Sequence, residues 1–160
     1  MSVTIREMRR EEARVFLEIH QAAVRGIAAR DYPAAVVEAW ARPITDEVIE
    51  RFLANRDAEV RLVAEIDGEP VGIGAIVVSL SELRACYVAP NAVRRGVGSA
   101  LVAEIERIGR EHRLDSLELE SSTTAEPFYS ALGYQVESRG EFFLTPDVAM
   151  AAVKMRKRLD

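Results

Sequence analysis

Arg94-Arg95-Gly96-Val97-Gly98-Ser99 is the segment whose residue types and spacing have the clearest chemical use. Gly96 and Gly98 let the backbone turn tightly and come close to a ligand. A helix begins at about this point. Leu101, Val102, Ile105 and Ile108 fall on one of its faces, and Glu104, Arg107, Arg110 and Glu111 on the other. The first turn of a helix carries N–H groups with no intrahelical acceptor, and the positive end of the helix dipole. That is a place for an anion, and phosphate is the usual one. Arg94 and Arg95 set two cations beside it. The same residues also fit a plain tight turn before a surface helix, since short glycine motifs recur without function.

Other reactive side chains stand apart from this loop. Glu82 and Glu120 are the carboxylates best placed to take a proton, and each also fits a solvated strand-edge charge. Tyr32 and Trp40 could wall a site for an apolar or cationic molecule, or simply pack. Cys86 reads as a small apolar strand residue rather than a nucleophile. His20 reads as a surface or packing histidine, and His112 as a partner of a helix C-terminus. Two histidines and one cysteine argue against a zinc site. The chain has no Gly-x-x-x-x-Gly-Lys-Ser/Thr and no Gly-x-Gly-x-x-Gly, which ranks a nucleotide-binding reading low.

Composition limits what these residues can serve. With 160 residues, 49% of them apolar, the expectation is one domain, 1–160, with a real core. No apolar run reaches membrane-spanning length, and the opening Met-Ser-Val-Thr-Ile-Arg lacks the features of a signal peptide. A lone cysteine suits a reducing, cytoplasmic setting. The net charge of −5 argues against general nucleic-acid binding and favours cationic substrates such as amines. The basic run Lys154-Met155-Arg156-Lys157-Arg158 reads as the solvated end of a terminal strand.

The elements that must position these groups follow from periodicity and turn chemistry. A strand is expected over 3–8 and a helix over 10–28, with Phe16, Ile19 and Ala23 on its inner face. Pro33 suits the first turn of a short helix carrying Val36, Val37 and Trp40. Thr45 caps a third helix, with Val48, Ile49, Phe52 and Leu53 inward. Strands follow at 60–66 and 70–79 around the Asp67-Gly68 turn, then at 82–88 before the glycine loop and main helix. A half-buried strand is expected over 115–120. Thr123 and Glu126 form a capping box for a helix with Pro127 in its first turn and Gly133 as its left-handed cap. Residues 134–138 and 148–155 read as the last strands. The result is an α+β fold with a mainly antiparallel mixed sheet.

A strand closed by Pro90, then Arg-Arg-Gly-x-Gly, then a long helix, resembles the pyrophosphate-binding element of the GCN5-related N-acetyltransferases. Phe128-Tyr129-Ser130-Ala131-Leu132-Gly133-Tyr134 is similar to that family's aromatic-Tyr-x-x-Leu-Gly-aromatic signature. The likeness covers nearly the whole chain. One departure is Val93, where the family commonly carries Gln or Arg, and it bears on cofactor affinity.

The resemblance implies the acyl-coenzyme A N-acyltransferase fold, with central strands that splay apart and acetyl-coenzyme A as cosubstrate. It implies cofactor contacts at Cys86, Tyr87, Val88, Arg94, Arg95, Gly96, Val97, Gly98, Ser99 and Ser122. Tyr129 would donate a proton to the departing thiolate, Glu82 or Glu120 would take one from the amine, and Tyr32 and Trp40 would line the acceptor site. The partner would be a small-molecule, peptide or protein amine, and the family often forms homodimers. A non-catalytic module that binds acetyl-coenzyme A as a sensor is the alternative.

Overall fold

In the computed structural model, which describes residues 2–160, seven strands form one sheet in the order β1-β2-β3-β4-β5-β7-β6. Five of them match runs rich in β-branched and apolar residues: β1 Val3–Glu7, β2 Val60–Ile66, β3 Glu69–Val77, β4 Glu82–Val88 and β5 Ser116–Ser122. Asp67 and Gly68, both at positive φ, close the β2–β3 hairpin. This is the primed turn geometry that matches strand twist.

Helix α4, Val97–Glu111, covers one face of the sheet. Leu101, Ile105 and Val97 pack there with Leu62, Ile76, Leu83, Leu117 and Met155. Gly72 on β3 admits it: a Cβ there would stand 2.6 Å from Val97 Cγ1. The other face takes α1, Ala13–Gly26, and α3, Asp46–Ala54, through Phe16, Ile19 and Phe52 around Ile73. Thr45 Oγ1 accepts from Val48 N at 3.2 Å, so the third helix is capped as its sequence predicts. No helix among the described residues is long and apolar enough to cross a membrane.

The sheet is antiparallel except where it matters for the site. Strands β4 and β5 run parallel and share a single pair, Glu82 with Glu118. Beyond that pair they diverge, leaving the β4 edge that faces β5 without strand partners among the described residues along the rest of its length. Unpaired N–H and C=O groups in such a wedge call for another partner.

Four expectations from the sequence need correction. The helix expected over 10–28 is a 3-10 turn at Arg10–Glu12, then α1, then a second 3-10 turn at Ala28–Arg30. Pro33 precedes α2, Ala34–Trp40, as its N-cap rather than sitting within its first turn. There is no capping box at Thr123: α5, Glu126–Ala131, starts later, and Ser122 Oγ accepts from Ala125 N instead. The final strands are far longer than read. Strand β6 spans Gln135–Thr145 and β7 spans Val148–Arg158, paired as a long hairpin with two register shifts. Arg139-Gly140-Glu141 breaks the apolar pattern because β6 is an exposed edge strand, held by pairing to β7 and not by burial.

An ion cluster ties the first strand to this frame. Arg6 bonds Glu12 at 2.7 and 2.8 Å and Glu65 at 3.1 and 3.2 Å. The Arg6 guanidinium holds the Glu12 carboxyl down at about 2, against an ordinary 4.5. A lowered folded value means the stabilisation is complete above 4.5 and is lost as pH falls toward about 2. Glu12→Gln should therefore flatten the acid limb of stability across that window, as read by denaturant titration at stepped pH.

Candidate functional site

The wedge between β4 and β5 opens into two cavities that meet end to end. One, of about 420 Å³, runs from the end of α1 past β4 to the start of α4. The other, of about 410 Å³, lies between β4, β5 and the β6–β7 hairpin. Trp40, Cys86, Tyr87, Ser122 and Ala125 line both, so the junction lies among them.

The first cavity ends at the glycine loop. Gly96 caps α4 with φ +80, and Arg94 before it has φ 64. The first intrahelical bond there is Ala100 N to Gly96 O at 3.0 Å. The N–H groups of Val97, Gly98 and Ser99 thus lie in the unpaired first turn of a 15-residue helix. Arg94, Gly96, Val97, Gly98 and Ser99 all line the cavity, whereas Arg95 does not. Unpaired N–H groups at a helix start are of the kind that can hold an anion.

The two glycines have different reasons to be glycine. At Gly96 a Cβ would meet nothing within 4 Å, so its left-handed φ is the constraint. At Gly98 a Cβ would stand 3.0 Å from Phe128 Cζ. A side chain at Gly98 would therefore press on α5, which packs against the start of α4 there.

Cys86, Tyr87 and Val88 carry the cavity wall along β4. Burial pushes the Cys86 thiol up to about 12, and its Sγ rests 3.8 Å from Gly98 O. It is therefore a neutral, packed thiol and a poor nucleophile. Tyr87 is also raised by burial, to about 12. Its ring meets His20 edge-on at 4.5 Å. Burial lowers His20 to about 4, so this imidazole is neutral and packs between Tyr87 and Trp40.

Tyr129 lines the second cavity and is buried. Its ring lies edge-on to Phe128 at 5.0 Å and to Tyr134 at 5.8 Å. Helix α5 is fixed behind it by a complete Schellman closure. Tyr134 N donates to Tyr129 O, Gly133 N donates to Ser130 O, and Gly133 has φ +97. The Tyr129 hydroxyl bonds to no described residue, and it is not a sealed polar atom, so it opens onto the cavity. Burial, with Cys86 and Tyr87 adding to it, holds its pKa well above 10. It is a protonated donor at neutral pH.

Both expected carboxylates reach this cavity, but they differ. Glu82 is engaged by Arg84 Nη2 at 2.9 Å, whereas Glu120 has no ion pair or hydrogen bond among the described residues. Trp40 lines both cavities, at their junction. Tyr32, expected at the acceptor wall, lines neither cavity. Its hydroxyl donates to Ala151 O at 2.6 Å and accepts from Thr123 N at 2.8 Å, which clasps the α1–α2 connection to β7 and to the turn after β5. Asp31 Oδ2 accepts from Thr124 Oγ1 at 2.6 Å in the same clasp. Ser122 lines both cavities and also caps the turn after β5.

Sequence reasoning missed Arg84, Phe142, Leu144 and Met150, which complete the second cavity. Only the paired aromatics Phe142-Phe143 on an otherwise polar stretch could have signalled them. No group of three or more His, Cys, Asp or Glu among the described residues is arranged to hold a metal.

Residues 9–134 match the model of the Acetyltransferase (GNAT) family. A protein of Bacillus subtilis (strain 168) that carries an acetyltransferase name is 31% identical over 113 residues, covering 69% of this chain and 76% of that protein. The crystal structure of a GCN5-related N-acetyltransferase from Rhodopseudomonas palustris is 26% identical, with TM-score 0.90 over 99% of this chain and 97% of the other. The PaiA N-acetyltransferase of Thermoplasma acidophilum, solved with coenzyme A, shares the fold at 20% identity and TM-score 0.78, over 99% of each chain.

Proposed function

Because this chain belongs to the GNAT family of acetyltransferases, we propose that it transfers an acetyl group from acetyl-coenzyme A directly to an amine across the junction of its two cavities. The observation that carries this reading is the splay of β4 from β5 beside an open helix start. The cosubstrate supplies the activated thioester. The residues present fit it: a cradle of N–H groups for the diphosphate, and a strand edge with free amide groups for the pantetheine arm.

Each of the chain's groups then has one task. Val97, Gly98 and Ser99 offer N–H groups to the diphosphate, with Arg94 at the cavity wall adding positive charge. The backbone N–H of Val88 stabilises the negative charge that develops on the carbonyl oxygen; it lies on the β4 edge turned from β3, whereas that of Tyr87 pairs with β3. The amine nitrogen bonds to the acetyl carbon as the carbon–sulfur bond breaks. Tyr129 gives its proton to the departing sulfur. Glu120, unencumbered where Glu82 is tied to Arg84, takes up the proton that the amine sheds.

Ser99→Glu tests the cradle. Ser99 is exposed, in the first turn of α4. A carboxylate there favours the helix by roughly 0.3–1 kcal/mol while setting a negative charge where the diphosphate belongs. The expected result is acetyl-coenzyme A affinity weakened by about tenfold or more, with thermal stability equal or higher. Unchanged affinity in the titration calorimeter would overturn the placement of the cosubstrate. Binding with no thioester turnover by any amine would favour a sensor over an enzyme.

A further inference from the structure

We infer that the acceptor is a small amine with one positive charge, an apolar body and no carboxylate, its ammonium held by Glu120 and its body laid against Phe142, Leu144 and Met150. This rests on the transferase reading above and names its substrate class.

The argument begins with which charges in the second cavity remain unspent. Its charged lining is Glu82, Arg84 and Glu120. Arg84 is fully committed: Nη1 bonds Asp57 at 3.0 Å and Glu59 at 3.2 Å, and Nη2 bonds Glu82 at 2.9 Å. Those contacts raise its pKa further, so the pairing is not released near neutral pH. Glu82 is spent on the same guanidinium. Glu120 sits opposite Lys154 in the β5–β7 register, but Lys154 Nζ turns to Glu118 at 3.6 Å. Of the charged lining, Glu120, an exposed residue, is the one with no ion pair or hydrogen bond among the described residues, and it is negative.

That arrangement selects by what it lacks. An α-amino acid would bring a carboxylate to a cavity whose only cation already holds three carboxylates and whose free charge is Glu120. Like-charge contact of this kind rejects a ligand. A polyamine would lay its second and third cations against the apolar wall of Phe142, Leu144 and Met150, which offers them no polar partner.

The remaining wall is apolar and comes from the β6–β7 hairpin. Phe142 is 45% exposed although it faces the cavity, so an apolar body lying on it would remove that surface from water. A volume of about 410 Å³ suits a small molecule.

Acetyl transfer by the full chain would be measured with phenethylamine, phenylalanine, hexylamine, spermidine and a lysine-containing peptide. Phenethylamine and phenylalanine share a ring and an amine and differ in the carboxylate. The expected result is kcat/KM for phenethylamine at least about tenfold above phenylalanine, and for hexylamine about tenfold above spermidine. Phe142→Ala should raise KM for phenethylamine by several-fold with acetyl-coenzyme A affinity unchanged. Its exposure lets the fold tolerate the change. Preference for phenylalanine, spermidine or the peptide would overturn the inference and leave the transferase reading standing. Acetyl-coenzyme A bound but turned over with no amine would overturn both.

Discussion

Tyr129→Phe is expected to lower kcat by on the order of a hundredfold while acetyl-coenzyme A affinity and thermal stability stay near those of the parent. The stability half of this follows from the site. The Tyr129 hydroxyl bonds to no described residue, so its removal leaves no protein donor or acceptor unpaired. The ring contacts with Phe128 and Tyr134 are kept by phenylalanine. The rate half follows from timing. In the proposed reaction the hydroxyl meets sulfur strongly only as thiolate charge develops, so its loss should fall on the transition state and not on binding. A pKa held well above 10 keeps the proton in place across the working range, so this group adds no alkaline limb to the rate profile below pH 10. The assay must use an acceptor for which chemistry limits turnover. A fully active variant there would remove Tyr129 from the reaction and leave the cosubstrate cradle untouched.

What could be read from the sequence was what is local. Strands β2 and β4 were legible to the residue because each is a short apolar run bounded by turn residues. The tight turn before α4 was legible because a left-handed backbone at residue 96 leaves few choices but glycine. The Gly133 cap follows the same rule. The failures that bear on the site are long-range. Tyr32 has an aromatic ring suited to an acceptor wall, yet its hydroxyl is consumed by Thr123 and Ala151, 91 and 119 residues away. Thr123 and Glu126 have capping-box spacing, but Thr123 N is satisfied by Tyr32 and Glu126 by Arg139. Glu82 and Glu120 looked equivalent as sequence. Arg84, gathered with Asp57 and Glu59 by the packing of β2 against β3 and β4, separates them. Strand β6 was hidden because an exposed edge strand needs no apolar alternation.

The largest stability effect should come from a buried ion cluster behind α5. Glu106 of α4 is 6% exposed. Lys157 Nζ donates to both its oxygens at 3.0 Å, Tyr134 Oη donates to Oε2 at 3.0 Å, and Arg110 Nη2 stands at 3.7 Å. The cluster joins α4, β7 and the residue that closes α5, so it braces the helix bearing Tyr129. Lys157→Met keeps the apolar stem, which lies 3.4 Å from where a Gly133 Cβ would be, and removes the charge. Glu106 is then a buried carboxylate with one hydroxyl and one distant guanidinium. Breaking a buried pair from one side costs about 3–5 kcal/mol, and Arg110 should keep the loss near the lower bound. For a chain of this length that is a fall in Tm of roughly 6–12 °C. Adding Glu106→Gln removes the stranded charge and should recover a large part of the loss. Thermal and denaturant unfolding of the two variants decide the matter. A single variant within about 1 kcal/mol of the parent, or a double variant no better than the single, would mean that Glu106 finds solvent and that the brace is packing rather than charge.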